Sequence, residues 1–285
     1  MQTVSTVADL ADAIAKFRAS RAERPQIAFV PTMGALHEGH LTLVRHARAL
    51  APHVVASVFV NPTQFGPGED FALYPRQPEK DAALLASAGC ELLFLPEVNT
   101  IYPLGGSTFV EVGEVSAGLE GAARPGHFRG VATVVSALFH LVQPDLAIFG
   151  AKDAQQLAVI RRMVRDQHFP LTVVGHPIVR EPDGLAMSSR NVYLAADERR
   201  AASVLHRALE AARSAISQGE RGAAALRGLL RETLAEEPLG VIDYAEVVDA
   251  DSFQPIARLS GRVVIPIAVR FGHTRLLDNL QVEVS

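Results

Sequence analysis

The stretch Ile27-Ala-Phe-Val-Pro-Thr-Met-Gly-Ala-Leu-His-Glu-Gly-His40 decides how the fold is read. The apolar run Ile27–Val30 stops at Pro31 and predicts a strand. A glycine-bearing turn follows. Leu41, Leu43 and Val44 then open a helical apolar pattern that runs to Leu50. The order is strand, tight turn, helix, with two imidazoles at the junction. Backbone N–H groups and the positive end of a helix dipole converge there and suit an anion. His37 and His40 stand three residues apart, so a helical turn puts them on one face. Together these features point to an enzyme that holds a nucleotide triphosphate and stabilises charge as a phosphate bond breaks. A metal site is the weaker reading. The spacing is not the four residues of the zinc-protease helix, and Cys90 is the chain's single cysteine.

Short apolar runs alternate with helical patterns outward from this stretch. Val54–Val60, Glu91–Leu95, Leu146–Phe149 and Leu171–Val174 read as strands. Leu41–Leu50, Glu79–Ala88, Val131–Leu141 and Gln155–Asp166 read as helices, and Met1–Lys16 as an amphipathic helix. Strands alternating with helices imply a parallel sheet with right-handed crossovers, binding ligands beyond the strands' C-terminal ends. Glu181-Pro-Asp-Gly184 reads as a turn or hinge. After it come two long helices, Ala196–Gln218 and Arg221–Glu237. Three strands without intervening helices follow, Ile242–Val248, Val263–Val269 and Leu276–Val284. The expectation is an α/β domain over 1–180 and a smaller α+β domain with antiparallel strands over 181–285.

Composition narrows the class. The chain has 285 residues, 48% of them apolar and 20% charged, as expected of a globular protein. A net charge of −4 argues against nucleic-acid binding. No apolar run is long enough to cross a membrane, and the N-terminus lacks the pattern of a secretory signal. One cysteine fits a reducing, cytoplasmic setting.

Four further motifs sit after predicted strands or beside the domain break. Asn61-Pro-Thr-Gln-Phe-Gly66 offers two amides able to read hydroxyls and carboxylates, or is an ordinary Asn-Pro turn. Arg124-Pro-Gly-His-Phe-Arg-Gly130 is a loop able to wrap an anion, or a solvated loop with a glycine cap. In Phe149-Gly-Ala-Lys-Asp-Ala-Gln-Gln156, Gly150 allows close backbone approach and Lys152 suits phosphates. Asp153 there either caps the next helix or engages Mg²⁺ carried by a nucleotide. Met187-Ser-Ser-Arg-Asn191 supplies two hydroxyls and a guanidinium suited to phosphate oxygens, or taken alone is a polar loop.

The blocks Pro31–His40, Asn61–Gly66, Gly126–Val131, Phe149–Gln156 and Met187–Asn191 resemble the pantothenate synthetase (pantoate–β-alanine ligase) family, in its order and at its spacings. That family belongs to the nucleotidyltransferases with an HxGH turn and a KMSKS-like loop. The resemblance implies a Rossmann-like catalytic domain, a smaller lid domain and two half-reactions. Pantoate attacks the α-phosphorus of ATP to give pantoyl adenylate and pyrophosphate; β-alanine then displaces AMP. It implies that His37, His40, Lys152, Ser188, Ser189 and Arg190 are catalytic. It assigns ATP binding to Met33, Gly34, Ala35, Leu36, His37, Glu38, Gly39 and His40, to Gly150, Ala151, Lys152 and Asp153, and to Val179, Met187, Ser188, Ser189 and Arg190. Gln64 would hold pantoate and border β-alanine, Gln156 would hold pantoate, and Asn61 would lie in the same substrate site. Mg²⁺ would travel with ATP, and the protein would be a homodimer. The segment 66–70 and the Met187–Asn191 loop would move, with Asp183-Gly184 as hinge. Class I tRNA synthetases and cofactor adenylyltransferases share the turn and loop. The acidic charge counts against the former, and an adenylyltransferase acting on another small carboxylate or phosphate remains the alternative.

Overall fold

The computed structural model describes residues 1–19, 26–66, 68–69 and 71–284. Two compact units divide the chain: Met1–Ala151 with Val159–His176, and Lys152–Ala158 with Pro177–Ser285.

The elements up to residue 176 follow in order: β1 (Gln2–Val4), α1 (Val7–Ala19), β2 (Ile27–Thr32), α2 (Glu38–Leu50), β3 (His53–Val58), α3 (Pro78–Ser87), β4 (Leu92–Phe94), α4 (Val98–Ile101), α5 (Glu120–Ala123), α6 (His127–Val142), β5 (Leu146–Gly150), α7 (Ala154–Asp166) and β6 (Thr172–His176). A 3₁₀ turn, Pro62–Gln64, follows β3. The strands form one sheet in the order β1-β4-β3-β2-β5-β6. Every neighbouring pair is parallel. Chain order reverses between β2 and β5, which makes that gap the topological switch point. The β2–β5 ladder runs only through Ala28↔Leu146 and Phe29↔Ala147, whereas β2 and β3 stay paired from Ile27↔His53 to Thr32↔Val58. Pairing across the switch point therefore stops before the strands' C-terminal ends.

Side-chain alternation builds a core on each face of the sheet. Ala28, Val30, Val54, Ala56 and Ile148 pack against Leu41, Val44 and Ala47 of α2 and Leu85 of α3. On the other face Phe139 of α6 meets Phe29, Phe149 and Phe169 edge-on, with centroids 5.7–6.4 Å apart. This burial accounts for the apolar run at Val54–Val58.

The N-terminus departs from the expected helix. Gln2–Val4 form an edge strand beside β4, and the helix begins only at Val7. Thr6 stops the helix from reaching further back: its hydroxyl accepts the N–H of Asp9 and donates to the Asp9 carboxylate, as a helix N-terminal cap does.

The second unit contains the 3₁₀ turn Ser189–Tyr193, α8 (Ala196–Ala201), α9 (Val204–Ser217), α10 (Ala223–Ala235), β7 (Gly240–Ala245), β8 (Val248–Asp249), β9 (Gly261–Phe271) and β10 (Thr274–Val284). β9 lies between β10 and β7, β8 also pairs with β9, and all these pairings are antiparallel. Its core joins Leu205 and Leu209 of α9, Leu226 and Leu230 of α10, and Ile265, Ile267 and Leu280 of the sheet.

Two expectations change here. The predicted helix Ala196–Gln218 breaks at Ala202-Ser203, where the Ser203 hydroxyl donates to the Arg200 carbonyl and competes with the helical ladder. The predicted strand Ile242–Val248 splits into β7 and β8. β7 ends at Ala245 opposite Ile267, and the next residue of β9 is Pro266, which has no N–H to give. The Glu181–Gly184 stretch forms the expected turn, the closed tip of a hairpin within the second unit. The Gly184 N–H donates to the Glu181 carbonyl at 2.8 Å, and Arg199 holds Glu181 and Asp183.

Candidate active site

In the first unit, the turn after β2 carries two successive left-handed residues, Gly34 (φ +83°) and Ala35 (φ +51°). A Cβ on Gly34 would stand 2.8 Å from Asp81 Oδ2, so the position requires glycine. Asp81, a buried carboxylate on α3, accepts the N–H groups of Ala35 at 3.0 Å and Leu36 at 2.9 Å. Those two N–H groups are therefore given to a carboxylate of the protein itself. Asp81 escaped the sequence reading because an acid three residues after Pro78 looks like ordinary first-turn charge on α3. The signal was an acid on the face of α3 that must also bury Leu85.

His37 is the N-cap of α2 and His40 its third residue. Their ring centroids lie 4.1 Å apart. The His37 N–H donates to His40 Nδ1 at 3.3 Å, so the neutral His40 ring carries its proton on Nε2. The amides of Glu38 and Gly39 fall in the first turn of α2, where no intrahelical acceptor exists. Glu38 itself is exposed and pairs with Arg45.

The 3₁₀ turn after β3 brings Gln64 to the first block. Gln64 is buried, and its Nε2 donates to Met33 Sδ at 2.8 Å. Asn61 organises this turn. Its Oδ1 accepts from Tyr102 Oη (2.7 Å), Thr63 Oγ1 (2.9 Å) and Thr63 N–H (3.3 Å). Its Nδ2 donates to Gln64 Oε1 and to the Gly130 carbonyl, both at 3.1 Å. Those contacts use both ends of the amide, so the Asn61 side chain holds Gln64 in place. Gly130 lets α6 approach closely: a Cβ there would sit 2.4 Å from the Thr63 carbonyl oxygen.

The Arg124–Gly130 loop grips the same turn and does not present free cations. Arg124 donates to both oxygens of Glu69, at 2.9 and 2.6 Å, and to the Gln64 carbonyl at 3.3 Å. It also donates to His127 Nε2 at 3.1 Å, which leaves Nδ1–H to donate to the Gln64 carbonyl at 2.9 Å. Burial, with Arg124 alongside, pushes the His127 pKa down to about 4 and keeps the ring neutral. Arg129 stacks over Phe109 at 4.0 Å. Within the segment 66–70, expected to move, Pro67 and Asp70 lie outside the described residues, and the Arg124 hydrogen bonds hold the Glu69 carboxyl below its usual range.

β5 ends at Gly150. The Ala151 N–H is spent on the His176 carbonyl at 2.8 Å. Lys152 and Asp153 belong to the second unit, with Lys152 Nζ 3.8 Å from Asp153 Oδ1. The Asp153 carbonyl accepts the Leu157 N–H at the start of α7, and half-buried Gln156 lies one turn in. In the hairpin beyond β6, the Val179 carbonyl accepts the Met187 N–H at 2.9 Å. Ser188 Oγ accepts the Arg190 N–H at 3.2 Å, which leaves the hydroxyl proton to donate elsewhere. Ser188, Ser189 and Arg190 are all half-buried. Among the described residues no group of three or more His, Cys, Asp or Glu side chains gathers as a metal site.

The sequence model of the family described as pantoate-beta-alanine ligase matches residues 2–281. The chain belongs to the pantoate–β-alanine ligase family. It is 59% identical to the pantothenate synthetase of Heliobacterium modesticaldum, over 90% of this chain and 92% of that one. It is 54% identical to that of Herpetosiphon aurantiacus, over 98% and 99%. The crystal structure of pantothenate synthetase from Thermus thermophilus superposes with a TM-score of 0.92 at 52% identity, covering all of both chains. A pantoate-β-alanine ligase from Francisella tularensis, complexed with beta-gamma ATP and β-alanine, gives a TM-score of 0.77 at 31% identity, over 98% of this chain and 97% of that one. Like other pantoate–β-alanine ligases, this chain is an acid–amino-acid ligase that condenses pantoate with β-alanine to give pantothenate.

Proposed function

We propose that the chain activates pantoate as an acyl adenylate at the turn bearing His37 and His40, then transfers the acyl group to β-alanine. A pantoate carboxylate oxygen bonds to the α-phosphorus of ATP, and the bond from that phosphorus to the bridging oxygen of pyrophosphate breaks. The β-alanine amine then bonds to the acyl carbon, AMP leaves with the carboxylate oxygen, and the amine gives up a proton. The observation that carries this reading is the His40 ring, fixed through Nδ1 at a helix N-terminus with its proton on Nε2. A preorganised donor of this kind stabilises charge that develops as the bond to pyrophosphate breaks.

The other roles follow from chemistry. His37, with the amides of Glu38 and Gly39, serves phosphate oxygens, as do Lys152, Ser188, Ser189 and Arg190. Met33, Gly34, Ala35, Leu36, Gly150 and Ala151 shape the ATP cradle by the course of their backbone, the N–H groups of Ala35, Leu36 and Ala151 being used within the protein. Val179 meets adenine through its backbone, and Met187 closes on the phosphates together with Ser188, Ser189 and Arg190. The Gln64 amide rests on a thioether, a weak acceptor that a pantoate oxygen readily replaces. Gln156 is the second pantoate amide. The half-exposed Asp153 carboxylate offers an oxygen to the Mg²⁺ that accompanies ATP. The protein acts in the cytoplasm as a homodimer; sedimentation tests the latter. The reaction is tested by incubating the enzyme with ATP, pantoate and β-alanine. Free AMP and pyrophosphate form in equal amounts; AMP retained on the product would instead indicate an adenylyltransferase.

A further inference from the structure

Two consecutive residues of β10, Asp278 and Asn279, lie outside every motif that carries the chemistry, yet both are buried polar side chains. Each reaches a different functional segment of the second unit. The Asp278 carboxylate, whose side chain is fully buried, accepts from Arg180 Nη1 at 2.6 Å and Nη2 at 3.0 Å. Arg180 also donates to the Gly184 carbonyl at 2.9 Å, and it follows Val179 in the hairpin that leads to Met187–Asn191. The next side chain, Asn279, donates through Nδ2 to the Lys152 carbonyl at 2.9 Å.

We infer that Asn279 is a positioning residue for Lys152. The lysine reaches its target on a four-carbon stem, and the place of its Cα sets where the ammonium can go. Lys152 has left β5 but has not yet entered α7, so neither element's ladder fixes its carbonyl. The Asn279 amide does so instead. The anchor is itself fixed: the Asn279 N–H donates to Asp278 Oδ1 at 2.8 Å, and the β10 ladder with β9 is unbroken from Thr274 to Val284. One strand therefore holds Lys152 through Asn279 and the hairpin before the Ser188–Arg190 turn through Asp278. Asn279 touches no substrate in this account; it acts through the lysine. The inference rests on the proposed role of Lys152 at the triphosphate.

The test is a double-mutant cycle read by pantoate-dependent ATP–pyrophosphate exchange. Asn279→Asp keeps the shape and removes the donor, and a carboxylate then faces the Lys152 carbonyl. A misplacement of about 1 Å costs about 100-fold in rate, so kcat for exchange should fall by that order with the KM for pantoate little changed. Asn279→Gln, which keeps an amide donor, should recover part of the loss. In a Lys152→Ala background, Asn279→Asp should cost little more, because the group it positions is gone. Wild-type exchange in Asn279→Asp overturns the inference. So does a loss equal in Asn279→Asp and Asn279→Gln, or one that multiplies fully with Lys152→Ala. If Lys152→Ala alone exchanges at the wild-type rate, the reading of Lys152 fails and this inference falls with it.

Discussion

The turn around Gln64 and the loop around Ser188–Arg190 both carry proposed ligand-binding side chains, but the fold treats them oppositely. Asn61 is 1% exposed and Gln64 8%, and the turn is held by Tyr102, Gly130, Arg124 and His127. In the Ser189–Tyr193 turn no side chain is buried, and Val192 is 76% exposed. A small hydroxy acid offers few atoms to recognise, so its amide must be placed before it arrives. A triphosphate is charged and flexible, and hydroxyls and a guanidinium on a looser turn can adjust to it. Burial and side-chain hydrogen bonds are denser at the turn proposed for the smaller ligand.

The contrast predicts that replacing a buried support of the Gln64 turn changes stability, while replacing a loop hydroxyl changes rate alone. The largest stability effect belongs to His127. Its folded pKa of about 4 lies below its unfolded value, so between those pH values the unfolded chain holds more protons. The stabilisation is present above the unfolded pKa of about 6.5 and is lost as pH falls toward 4. It amounts to roughly 3 kcal/mol at about 1.4 kcal/mol per pKa unit. Denaturant unfolding of His127→Gln should show a flatter loss over that range than the wild type; equal slopes would mean the ring does not titrate as described.

Asp81→Asn comes next. An amide can accept only one of the two N–H groups that the carboxylate takes, and it sets an NH₂ against the other. Bonds to charged groups contribute about 1.5–3 kcal/mol, and the melting temperature should drop accordingly. A variant as stable as the wild type would remove Asp81 from the account of the turn.

The smallest stability effect is expected from Ser189→Ala. It should leave unfolding within about 0.5 kcal/mol of the wild type while slowing exchange by about 100-fold. A large loss of stability with unchanged exchange would reverse the contrast between the two regions.

Most of the sheet was legible because its strands are short apolar runs closed by Pro, Asn or Gly, and because the helices between them impose parallel pairing. What stayed hidden was set by partners distant in sequence. Gln2–Val4 is too short to read as a strand and exists through its pairing with Leu92–Phe94. The break before β8 depends on Pro266, which lies in a different strand. Asn61, Arg124 and His127 carry side chains that suit a ligand, but each is committed to the protein. A sequence shows which groups are available, not which of them the fold has already used. Asp81 and Asn279 were missed for the converse reason: both act on backbone atoms of another segment, and no motif records that.

The His37–His40 turn is the centre of the account, and pantoate-dependent ATP–pyrophosphate exchange by His40→Ala tests it most directly. With thermal unfolding unchanged, the exchange rate should fall by about 100- to 1000-fold, as when a preorganised donor is lost from a developing anion. A correctly folded His40→Ala protein that exchanges at the wild-type rate would contradict it.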